Sequence, residues 1–170
     1  MKRFLKTWLL LAAVPVATAI TVDRVPVDAW AESSPGADQN QVGMFIDFGG
    51  GDSAVFGYRW NSLDEISRPA GNPYSSDPVG AETGEAMILA LDGQTPMVAT
   101  YSYHYLYGFF LSQLGYDGGN IGAGGYDTDF LGLWTSQDGV DWEYSMLGVS
   151  SVDLTTVEWV NTIRRVTNWE

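Results

Sequence analysis

The tightest constraint on this chain is how little room its turn residues leave for helix. Its 170 residues include 20 Gly and 7 Pro, and these interrupt most stretches before a helix could develop. One short run escapes them. Thr83-Gly84-Glu85-Ala86-Met87-Ile88-Leu89-Ala90-Leu91 opens on an N-cap residue, carries Glu85 near the positive end of the helix dipole, and stops at Asp92-Gly93. Met87, Ile88 and Leu91 would share its buried face.

Elsewhere the pattern is that of strands. Residues 42–61, VGMFIDFGGGDSAVFGYRWN, place two β-rich runs around Gly49-Gly50-Gly51-Asp52-Ser53 and predict a hairpin. Residues 63–82 hold Pro69, Gly71, Pro73, Pro78 and Gly80 and read as a loop. In residues 97–116, Tyr101, Tyr103, Tyr105 and Tyr107 alternate at period two, which puts them on one face of a strand, with Ser102, His104 and Leu106 on the other and a break at Gly108. Residues 117–129 are Gly-rich and turn-like. Residues 130–135 and 142–146 predict a second hairpin around Ser136-Gln137-Asp138-Gly139-Val140-Asp141, and residues 156–160 begin a final strand. Residues 20–41 read as a flexible leader able to add an edge strand near 21–27, ahead of one domain over 42–166.

The start of the chain has a different composition. Lys2, Arg3 and Lys6 precede an apolar run around Trp8-Leu9-Leu10-Leu11, and Ala17-Thr18-Ala19 sets small residues where a signal peptidase reads. Residues 1–19 are therefore expected to be a secretory signal peptide, because an apolar run of about a dozen residues broken by Pro15 falls short of the ~20 that span a bilayer. The protein is then exported, periplasmic or extracellular, without insertion into a membrane. Cleavage would remove three of the eight basic residues, leaving five against 21 acidic ones, a formal charge of −16. Nucleic acid and anionic lipid, which need basic surfaces, are not expected partners. With no Cys, the fold must be held by its core alone.

The order hairpin, helix, strand, hairpin, final strand gives an α+β fold: a β-grasp-like mixed sheet of about five strands packed on one short helix. Residues 84–91, then Tyr107-Gly108-Phe109-Phe110-Leu111-Ser112-Gln113-Leu114, Leu131-Gly132-Leu133-Trp134 with a turn at Asp138-Gly139, and Val157-Glu158-Trp159-Val160 resemble the exported β-grasp domains related to the C-terminal domain of the cobalamin carriers transcobalamin and intrinsic factor. Leu stands here where that pattern has Val and Ile, and Asp-Gly where it has Asn-Gly. The first hairpin, with Phe56-Gly57-Tyr58-Arg59-Trp60, is similar to bacterial exported proteins of unknown function that carry a Gly-Tyr-Arg-Trp hairpin. The resemblance implies a β-grasp fold and a corrinoid-like ligand.

Several residues are candidates for a site. Tyr101, Tyr103, Tyr105 and Tyr107, with Trp60 and Trp134, form either an aromatic platform for a stacked ligand or a sheet face packed on the helix. Arg59 either clamps a ligand carboxylate or phosphate or pairs with Asp47 across the first hairpin. Asp117, Asp127 and Asp129 sit in the Gly-rich segment, which suits either a Ca2+ site or an ordinary loop. His104 is the single histidine, too little for a zinc site, and no Gly-x-Ser-x-Gly turn is present to carry a nucleophile. The expected function is non-catalytic binding of a small ligand. The alternatives are a carbohydrate-binding or cell-surface interaction module and, using pairs such as Asp127 with Asp129 or Asp141 with Glu143, a carboxylate-dependent hydrolase.

Overall fold

The computed structural model describes residues 21–22, 25–70, 72, 77–106, 108–122, 130–146 and 148–165. The expected signal peptide, Tyr107, Asp127 and Asp129 lie outside the described residues.

Among the described residues, thirteen strands and one α-helix follow in order. They are β1 (Thr21–Val22), β2 (Val25–Pro26), β3 (Ala29–Glu32), β4 (Asn40–Gly49), β5 (Asp52–Trp60), β6 (Glu65–Ile66), β7 (Val79–Gly80), α1 (Gly84–Gln94), β8 (Val98–His104), β9 (Gly108–Tyr116), β10 (Gly119–Ile121), β11 (Phe130–Ser136), β12 (Glu143–Tyr144) and β13 (Trp159–Arg165). The architecture is α+β and β-rich, with a mixed sheet.

The main sheet has six strands in the order β12-β11-β13-β4-β5-β3. Here β4 and β5 form the first hairpin, and β13 enters beside β4 in parallel while pairing antiparallel with β11. The hairpin closes through Gly49, Gly50 and Gly51, all at positive φ (79°, 69° and 97°), which accounts for three glycines in a row. The sixth strand is β3, parallel to β5, so the stretch expected as a flexible leader supplies an edge strand and buries Ala31 and Ala37. That strand falls a few residues later than the 21–27 anticipated.

A smaller sheet, β10-β9-β8, packs with α1 over one face of the main sheet. From the main sheet come Met44, Ile46, Phe56, Tyr58 and Trp60; from the cover come Met87, Ile88, Leu91, Leu114 and Ile121, all fully buried. Phe56 meets Tyr116 edge to face, with ring centroids 5.1 Å apart. The helix is buried on nearly every side, from Gly84 through Met87 and Ile88 to Leu91. Thr83 caps it as expected, its hydroxyl accepting from the Ala86 N–H at 3.2 Å. Asp117-Gly118 makes a two-residue turn into β10, Asp117 lying at φ 46° and Gly118 at φ 84°.

Candidate functional site

Alternation along the strands decides which expected site residues are available. On β5, Ala54, Phe56, Tyr58 and Trp60 point into the core, while Val55, Gly57 and Arg59 point to the face that bears no helix. Trp60 is 1% exposed and stacks on Tyr58 at 5.5 Å, so it contacts no ligand and leaves the platform. Tyr58 itself is held by its hydroxyl, which donates to the Ala81 carbonyl at 3.0 Å.

The tyrosine stripe also divides. Tyr101 and Tyr103 turn inward on β8 and pack around Phe109, at 5.1 and 5.6 Å, whereas Ser102 and His104 face out as alternation requires. The Tyr103 hydroxyl donates to Glu85 Oε1 at 3.1 Å, and Glu85 also accepts from Arg68 Nε at 2.6 Å and Nη2 at 3.1 Å. Burial, reinforced by the Glu85 charge, pushes the Tyr103 phenol above its ordinary range. This pair of tyrosines belongs to the core, as the packed-face reading has it. Tyr105 lies beyond the end of β8 and is 69% exposed. Tyr101, Tyr103 and Tyr105 therefore do not share one surface.

Arg59 does not pair with Asp47. The register sets Arg59 opposite Gln41 and Asp47 opposite Ser53, several rows apart. Instead the Arg59 guanidinium sits 4.0 Å from the ring of Trp30, a cation–π contact on the helix-free face. Asp117 serves its turn and is exposed, and among the described residues no group of three or more His, Cys, Asp or Glu is placed to hold a metal ion.

What the structure does bring together is the helix-free face of the main sheet. Trp30 on β3, Phe45 on β4, Arg59 on β5, Trp134 on β11 and Tyr144 on β12 all project there and are half-buried or exposed. Trp134 and Tyr144 are ladder partners whose rings meet edge to face at 5.3 Å. At the centre, Gly43 and Gly57 are cross-strand partners, and an indole lies flat over each: Trp159 over Gly43 and Trp30 over Gly57. A Cβ on Gly43 or Gly57 would come within 2.5 or 2.4 Å of those rings, so glycine is what lets the sheet carry them. Of these residues only Arg59 and Trp134 were expected. Trp30 was hidden in a segment read as leader, and Phe45 and Tyr144 could be assigned a face only once the helix side was known. The flanking alanines Ala29 and Ala31, alternating with Trp30 and Glu32, were the one strand signal there.

At the β11–β12 end of the sheet, a groove of about 450 Å³ opens between the β11–β12 turn and Thr156 and Val157. Thr135, Ser136, Gln137, Asp138, Asp141 and Glu143 contribute to its walls. Asp138 Oδ1 accepts from the Val140 and Asp141 N–H groups, both at 2.9 Å, and from Ser136 Oγ at 3.1 Å. Those bonds, the Asp141 N–H foremost, hold its carboxyl below the usual range. Asp138 is thereby committed to shaping the turn.

No protein-family model matches the chain, and neither the curated proteins nor the solved structures hold a significant match to it. Among the described residues no helix is long and apolar enough to cross a membrane.

Proposed function

We propose that this chain is an exported, non-catalytic binding domain of β-grasp-like build that takes a saccharide on the helix-free face of its main sheet. The β-grasp assignment is supported by the strand order β12-β11-β13-β4-β5: a hairpin, a helix, a second hairpin, and a last long strand set between them parallel to the first. The single observation that carries the ligand reading is the group of half-buried and exposed rings, Trp30, Phe45, Trp134 and Tyr144, with Arg59 on the same helix-free face. Flat rings stack against the C–H faces of sugars, and the Arg59 guanidinium on the same face can donate to ligand hydroxyls. A corrinoid, the ligand implied by the sequence resemblance, is broader and favours enclosure in a concave apolar site.

Soluble oligosaccharides and cobalamin are titrated against the protein while tryptophan emission and heat of binding are followed. The expected result is saturable binding of at least one glycan, weakened roughly tenfold or more by Trp134→Ala, since a stacked aromatic contributes about 1–3 kcal/mol including its buried area. Binding of cobalamin alone, or glycan binding indifferent to Trp134→Ala and Tyr144→Ala, overturns the assignment.

A further inference from the structure

We infer that β8 is a self-association edge, pairing with β8 of a second copy of this chain across a two-fold axis. The three other long-sheet and short-sheet edges are blunted. On β3, the Gln94 side-chain amide takes both main-chain groups of Glu32, accepting from its N–H at 3.0 Å and donating to its carbonyl at 2.8 Å, in the manner of a missing neighbour strand. The β12 edge is two residues long and carries Glu143, and β10 is three residues long. By contrast β8 runs seven residues, ends the order β10-β9-β8 among the described residues, and bears no Pro, Lys, Arg, Asp or Glu. Edges left this way are templates for pairing. Asp92 caps its start, Oδ1 accepting from the Ala99 N–H at 2.8 Å.

Charge selects a second copy as the occupant. In a chain of formal charge −13, residues 93–116 contain no Asp, Glu, Lys or Arg, so the β8–β9 hairpin is where two like-charged copies can meet with least repulsion. Its outer face is also apolar for an exposed surface: Val98 is 62% and Phe110 48% exposed, with Tyr105 and Leu106 at the tip. Antiparallel pairing of β8 with its copy would join two three-stranded sheets into one of six and set the outward side chains of β8, Val98 among them, beside those of the copy. A two-fold contact of this kind is self-complementary.

Sedimentation velocity of the full chain over a range of protein concentrations, at low and at moderate salt, tests this. The expected result is a monomer–dimer equilibrium that tightens with salt, because screening relieves repulsion between acidic copies. Thr100→Lys with Ser102→Lys, both exposed on β8, is expected to weaken the dimer roughly tenfold or more while circular dichroism stays that of the parent. If that variant misfolds, amide exchange on the parent decides: protection over 100–104 rises with protein concentration. A monomer at every concentration, a dimer indifferent to the lysines, exchange independent of concentration, or a monomer that partitions onto phosphatidylcholine vesicles each overturns the inference.

Discussion

Replacing Arg68 by Met should be among the most damaging changes available away from the hydrophobic core. The Glu85 side chain is 5% exposed and that of Arg68 19%, and the two are joined by a bidentate contact at 2.6 and 3.1 Å. Without the guanidinium, a carboxylate almost out of water keeps only the Tyr103 hydroxyl at 3.1 Å among these side-chain contacts. Breaking a buried pair on one side costs about 3–5 kcal/mol, because the remaining charge loses its compensation. The opposite change, Glu85→Leu, leaves an arginine that still reaches water, and should cost about 1–3 kcal/mol. The double variant restores an apolar match and should return close to parental stability. Urea unfolding followed by tryptophan emission at neutral pH measures all four proteins. For a chain of this size, Arg68→Met should also lower Tm by about 10 °C. A loss below about 1 kcal/mol, the value of a surface pair, would refute the claim that this pair is buried in the sense that matters. So would a double variant no more stable than Arg68→Met.

Three further outcomes are expected. Gly57→Ala, whose Cβ would lie 2.4 Å from the Trp30 ring, should cost about 1–3 kcal/mol by overpacking and shift the near-ultraviolet circular dichroism, with Gly43→Ala acting likewise through Trp159. Tyr58 and Tyr103 are both pushed above the ordinary phenol value of 10.0, chiefly by burial, so the stability they contribute is whole below pH 10 and falls as pH rises beyond it; urea midpoints should decline there, and less steeply in Tyr103→Phe. The Asp64 carboxylate accepts from the Ser33 and Ser34 hydroxyls and is held below its ordinary value of 3.8, led by the Ser33 bond, so it stabilises the fold above that pH and is lost on acidification; Asp64→Asn should flatten the acid side of the stability curve.

Features written in neighbouring residues were legible from sequence. The triple-glycine hairpin, the Thr83 cap and the Asp138-Gly139 turn each depend on a handful of adjacent positions. Alternation through Tyr101, Ser102, Tyr103 and His104 was legible too, but not which side the core would take. That depends on the main sheet over which β8 packs, whose β4 and β5 lie tens of residues away in sequence. The same distance explains the misplacement of Trp60: both faces of β5 carry aromatic or cationic residues, and the position of the helix alone separates core from surface. The Arg59–Asp47 pairing failed on register, since Gly49 opposite Asp52 sets Asp47 against Ser53 and leaves Arg59 near the far end of the hairpin. Trp30 was missed because a four-residue strand among prolines and serines has almost no local signal.

The position of β13 bears on how the molecule can be assembled in time. It is the latest of the described strands to be synthesised, yet it sits at the middle of the main sheet, bonded to β4 on one side and β11 on the other. Until it arrives, the two hairpins of the main sheet have no hydrogen-bonded strand in common, and its pairing with β4 spans more than a hundred residues. Such long-range pairing makes folding slow, with the loop-closing entropy met before the contacts form. A nascent chain stopped short of Trp159 would thus hold β4–β5 and β11–β12 as separate pieces of an unfinished main sheet, with open edges, rather than a smaller version of the finished fold. Completion is a single late event, governed by the last strand finding the first.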